Sequence, residues 1–201
     1  MAKEKSPTFT SGIVTLVYPK LNEPDVYTPK RGKPGKPKYK TDWSEPNEAA
    51  EKKLQDYLLK IAAKLCPDAD VNSDEFGRPW KVNKEGATVF TTSTGMTNKA
   101  GVTVRPPIFD AKNQSVPVSQ SIGGGTKARL NMSVGVYPDE NGITLYLNQV
   151  QIIEIVESQY GKSAFEEADG FSYAGVQGNE ASESTDLDAA DEGDADFDTA
   201  F

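Results

Sequence analysis

The chain has 201 residues, 36% of them apolar, with no histidine and a single cysteine. The missing histidine removes the commonest general acid–base group and the commonest metal ligand, Cys66 alone closes no internal disulfide, and no run approaches the ~20 apolar residues that span a bilayer. The expectation is a soluble intracellular protein that is not an enzyme, holds no cofactor or metal and touches no membrane.

The formal charge of −8 is unevenly spread. Met1 to Phe165 hold all 22 basic and 18 of the 30 acidic residues, a body of +4, whereas Glu166 to Phe201 hold the other twelve acids and no Lys or Arg. The division predicts one domain over 1–165 and a disordered acidic tail over 166–201.

Along the body, Phe9 to Tyr18 is rich in β-branched and aromatic residues and stops at Pro19, which predicts a strand with a bend at Gly12. Lys20 to Lys40 carries four prolines and, within Lys30 to Lys40, six basic residues and no acid, which reads as a mobile basic arm. Tyr39 to Trp43 forms a short strand. Ser44 is then the expected helix N-cap, with Glu45 and Pro46 in the first turn. The helix places Ala50, Leu54, Tyr57, Leu58, Ile61, Ala62 and Leu65 on one stripe and ends at Pro67. Asp68 to Gly86 is polar and irregular, its carboxylates Asp68, Asp70, Asp74 and Glu75 lacking the spacing of a calcium loop.

Ala87 to Thr94 and Val102 to Phe109 predict two strands, with Pro106-Pro107 confining the second to an edge or bend. Gly123-Gly124-Gly125 lacks the Gly-Lys-Ser/Thr triplet of a P-loop and is followed by a strand, so it reads as a turn permitting close backbone approach. Lys127 to Tyr137 alternates strictly, with Ala128, Leu130, Met132, Val134 and Val136 on one face and Lys127, Arg129, Asn131, Ser133, Gly135 and Tyr137 on the other. Pro138 to Gly142 forms a hairpin connection into Ile143 to Val156. The sum is an all-β body with one helix, a small barrel of five or six strands.

Binding of unpaired strands without sequence preference needs cations for phosphates and flat rings for bases. The candidate nucleic-acid residues are Tyr18, Lys20, Tyr27, Lys30, Arg31, Lys33, Lys36, Lys38, Tyr39, Lys40, Arg78, Trp80, Arg105, Lys127, Arg129 and Tyr137. The candidate docking residues are Asp194, Asp196, Phe197, Asp198 and Phe201, because rings on an acidic segment add nothing to solubility and suit a partner's basic-rimmed pocket. Without that partner, the tail competes with nucleic acid for the body.

Ser121 to Ile155, reading SIGGGTKARLNMSVGVYP and then ITLYLNQVQIIEI, together with the acidic tail closing on Phe201, resembles the single-stranded DNA-binding proteins of bacteriophages, including the short-tailed T-seven-like group. The resemblance implies an OB-type barrel that coats single-stranded DNA in phage replication, recombination and repair, in the cytoplasm of the infected bacterial host. It further implies a cleft that includes Lys127, Arg129 and Tyr137, and a tail that docks DNA polymerase and helicase–primase through Phe201. Self-association is left open. The rival reading is an acidic-tailed interaction module that mimics DNA toward a DNA-binding enzyme.

Overall fold

The computed structural model describes residues 6–29, 33–97, 101–138 and 141–158. Its elements are β1 (Thr8–Thr10), β2 (Val14–Asp25), β3 (Lys38–Ser44), α1 (Glu48–Leu65), β4 (Trp80–Val82), β5 (Thr88–Gly95), β6 (Ile108–Phe109), β7 (Lys127–Val136) and β8 (Ile143–Glu154).

Five of the strands close on themselves. β2 pairs antiparallel with β3, β3 with β5, β5 runs parallel to β8, and β8 returns antiparallel to β7, which pairs with β2. This is an OB-like closed barrel, as expected. β1, β4 and β6 are short additions paired to β7, β5 and β8.

Closure buries one side of each strand. Val14 and Leu16 of β2, Trp43 of β3, Phe90 of β5, Leu130, Met132 and Val134 of β7 and Leu145 and Val150 of β8 are fully buried. Trp43 stacks on Phe90 at 4.5 Å between ring centroids. Leu58, Ile61 and Ala62 carry the α1 stripe into this core, and Leu54 and Leu65 pack against it. Tyr57, expected inside with them, is 43% exposed and makes a T-shaped ring contact with Phe9 at 5.8 Å. Cys66 is buried at the helix C-cap.

Several boundaries differ from the sequence reading. The first strand breaks after Thr10 and resumes at Val14, with the bend at Ile13, beside the Gly12 expected to make it. β2 then runs through Pro19 and Pro24, because two bulges in its pairing with β3 accommodate the residues that cannot donate. The basic arm therefore shortens to 26–37, and Lys20, Lys38 and Lys40 stand on strands. Ser44 stays in β3 opposite Thr15, so the helix is capped instead by Asn47, whose Oδ1 accepts the Ala50 N–H at 3.0 Å. Trp80 to Val82 forms a strand that no periodicity announced. Of the predicted strand from Val102, only Ile108 and Phe109 pair with β8; Pro106 and Pro107 carry no N–H to extend that ladder.

The glycine triplet brings backbones together within the chain. A Cβ on Gly123 would lie 2.8 Å from the Ser158 nitrogen and 2.9 Å from the Glu157 carbonyl. Gly123 N–H donates to Val156 O and Gly125 N–H to Leu16 O, with Gly125 at φ +91°. Buried Thr126 completes the junction, its hydroxyl bonded to Gly123 O and to both backbone groups of Val156. The close approach expected of this turn thus joins β2 to the end of β8.

Candidate nucleic-acid interface

Strand alternation decides what the barrel offers outward. On β3, Tyr39, Thr41 and Trp43 point in, so Lys38, Lys40, Asp42 and Ser44 point out. On β5 the outward partners of Lys40 and Asp42 are Ser93 and Thr91, and Ser93 also pairs with Tyr146 of β8. These strands give a continuous outer face with hydroxyl groups along its middle.

Aromatic and cationic groups converge at one end of that face. Gly77 bridges Gly142, donating to Asn141 O and accepting from Ile143 N–H, which pins the loop before β4 to the start of β8. The ring of Tyr137 lies over this bridge, since a Cβ on Gly77 or Gly142 would come within 2.5 or 2.6 Å of it. Glycine at both positions gives the ring a flat seat. The same bridge sets Arg78-Pro79-Trp80 beside Tyr137, and a pocket of about 250 Å³ is lined by Arg78, Trp80, Lys81, Thr91, Ser93, Tyr137 and Thr144. Trp80 leans on buried Phe90 at 5.8 Å and remains partly exposed. A ring held by the core on one side and open on the other is a platform for a base.

Lys81 also lines a second pocket, of about 280 Å³, with Val17, Tyr18, Asp42, Asn83, Lys84, Glu85 and Val89. Tyr18 occupies the first bulge of β2 at φ +50° and is 79% exposed. The two pockets share Lys81 and follow one another along β5. Together they gather Tyr18, Arg78, Trp80 and Tyr137 from the sequence candidates.

The remaining candidates are dispersed. Tyr39 is 6% exposed and belongs to the barrel interior, which corrects its assignment as a stacking ring. Lys40 pairs with Asp25 at 2.8 Å. Lys38, Lys33, Lys36 and Tyr27 are exposed on or before β3, and Lys20 is exposed on β2. Arg105 donates to Leu21 O and Asn22 Oδ1, and partial burial lowers its pKa. Lys127 Nζ donates to Thr15 Oγ1 at 2.6 Å, on the β2 side of the barrel. Arg129 lines a separate recess with Asn113, Asn131, Gln149 and Gln151. Strand alternation put Lys127, Arg129 and Tyr137 outward as expected, but closure sends them to three different neighbourhoods. Lys30, Arg31, Asp194, Asp196, Phe197, Asp198 and Phe201 lie outside the described residues.

Arg78 is also committed elsewhere, its Nη2 donating to the carbonyls of Val71, Asn72 and Ser73. Sequence reasoning missed Lys81, Lys84 and Tyr146. Tyr146 is 47% exposed and covers Gly135, where a Cβ would come within 2.2 Å of its ring. The signal for it was present, because Tyr146 falls between Leu145 and Leu147 on an alternating strand and so must face outward.

No family model matches the chain, nor does any curated protein. Solved structures do. The chain is similar to gp2.5, a single-stranded DNA-binding protein encoded by bacteriophage T7, at TM-score 0.59 and 20% identity over 84% of this chain and 99% of that one. It is similar to the single-stranded DNA-binding protein of bacteriophage Enc34 at TM-score 0.55 and 16% identity, over 79% of this chain and 87% of that one. The Enc34 protein in complex with single-stranded DNA gives TM-score 0.54 and 15% identity, over 75% and 88% of the two chains. The barrel described above is thus the OB-like fold of these bacteriophage single-stranded DNA-binding proteins.

Proposed function

We propose that this protein binds single-stranded DNA with little sequence preference along the outer face of β3, β5 and β4. The observation that carries the reading is the pocket lined jointly by Trp80, Tyr137 and Lys81, the two rings each backed by protein and partly exposed. Rings for bases beside a cation for phosphate are the pairing that unpaired strands require, and hydroxyls alone along the floor would not discriminate charge. The likeness to the Enc34 protein in its complex with single-stranded DNA supports the same partner.

In this reading the chain binds and protects single strands and catalyses no reaction. It serves phage DNA replication, recombination and repair in the cytoplasm of an infected bacterium. Glu166 to Phe201 is its acidic appendage, which competes with DNA for the body and docks replication proteins such as DNA polymerase and helicase–primase.

The test is a titration of intrinsic fluorescence with poly(dT) and then with duplex DNA. Trp43 is fully buried against Phe90, so a direct response reports on Trp80. Quenching by the single strand, weakening with salt at a slope of about −0.7 per neutralised phosphate, is the expected result. Equal response to duplex would overturn the selectivity for single strands, and no response to either would overturn the proposal and favour an interaction module.

A further inference from the structure

Asp42 stands out on the proposed DNA face. It projects from the outward side of β3, lines the pocket that holds Tyr18, Lys81 and Lys84, and accepts one hydrogen bond, from Thr91 Oγ1 at 2.7 Å. A surface that gripped phosphates alone would gain nothing from a carboxylate here, since like charges repel. The phosphates belong on Lys81 and Lys84 at the same pocket. What can approach Asp42 favourably is a neutral group that donates hydrogen bonds, and in a nucleotide that group is the edge of the base.

Resting on the single-stranded DNA reading above, we propose that Asp42 reads base edges and gives the cleft a preference for cytosine over thymine. At the same ring position cytosine presents an amino donor and thymine a carbonyl acceptor, so a carboxylate attracts the first and repels the second. The Thr91 hydroxyl takes one Asp42 oxygen and fixes the orientation of the group. Asp42 as a residue lines the pocket. Glu85, on the same pocket, adds to the repulsion of phosphate and of thymine O4.

The experiment compares the full-length protein on oligo(dC) and oligo(dT) of equal length, two pyrimidine strands with weak self-stacking, at mildly alkaline pH where oligo(dC) does not pair with itself. A third strand carries N4,N4-dimethylcytosine, which removes the amino donors and keeps the ring. The wild type should bind oligo(dC) about 3- to 10-fold more tightly than oligo(dT), the range for one ordinary net hydrogen bond. The dimethylated strand should fall to the oligo(dT) level. Asp42→Asn, whose amide both donates and accepts, should bring the ratio close to one and tighten oligo(dT).

Wild-type protein that binds all three strands equally would overturn the assignment of Asp42 and leave single-strand binding standing. An unchanged ratio in Asp42→Asn would overturn it too. Failure to bind any of the strands would instead sink the functional reading on which it rests.

Discussion

Tyr137→Ala isolates the stacking contribution to the proposed interface. The ring is 38% exposed, with one face seated on Gly77 and Gly142, so it offers one open face to one base. Stacking of a base on an aromatic side chain contributes about 1–3 kcal/mol by alanine substitution, and a single open face places the loss at about 1–2 kcal/mol. That corresponds to a Kd roughly 5- to 30-fold weaker. The assay is fluorescence anisotropy of an end-labelled oligo(dT) at several salt concentrations. Because no charge is removed, the plot of log K against log salt should drop in parallel, with its slope unchanged. Tyr137→Phe keeps the ring and should bind like the wild type. Thermal unfolding controls for the lost cover over the Gly77–Gly142 bridge. An alanine variant that folds and binds with unaltered affinity would refute the platform, and a change of slope would show that the substitution had disturbed the cations.

Lys81→Ala should flatten the salt dependence by about 0.7, since this side chain lines both pockets; an unaltered slope would remove it from the phosphate path. Arg78→Ala should act on stability instead, costing about 1–3 kcal/mol as three backbone carbonyls lose their donor, and a flatter salt slope with no change in Tm would contradict that. Gly123→Ala forces a Cβ against the backbone of Glu157 and Ser158 and should cost about 1–3 kcal/mol by overpacking, read as a lowered Tm with little effect on DNA affinity once folded. Deleting Glu166 to Phe201 should tighten oligo(dT) binding most at low salt and abolish the proposed docking of replication proteins, whereas equal affinities of the two forms would end the competition idea.

Some features are dictated by local order along the chain. The strict alternation from Lys127 to Tyr137 fixes which side chains face out, because successive residues of a strand point to opposite sides. The helical stripe and the glycine turn were legible for similar reasons, and the charge of the last thirty-six residues is a matter of composition. The barrel followed from short alternating segments joined by tight turns.

Which outward side chains meet is a different kind of fact. Tyr18, Trp80 and Tyr137 come from a bulge, an unannounced three-residue strand and a hairpin, and only the pairings of β2 with β3, β3 with β5, and β5 with both β4 and β8 lay them along one face. Tyr39 resembled them in sequence, an aromatic flanked by lysines, yet barrel closure turned its ring inward while its neighbours Lys38 and Lys40 stayed out. Alternation specifies a side of a strand, and its phase is readable only where the apolar set is unbroken, as it is from Ala128 to Val136 and is not in the short KYKTD run. The amino-acid order thus determined the barrel, its polar exterior and the acidic extension. The tertiary structure alone decided which cations and rings share a pocket, because strand neighbours are set by long-range hydrogen-bond register that no local period encodes.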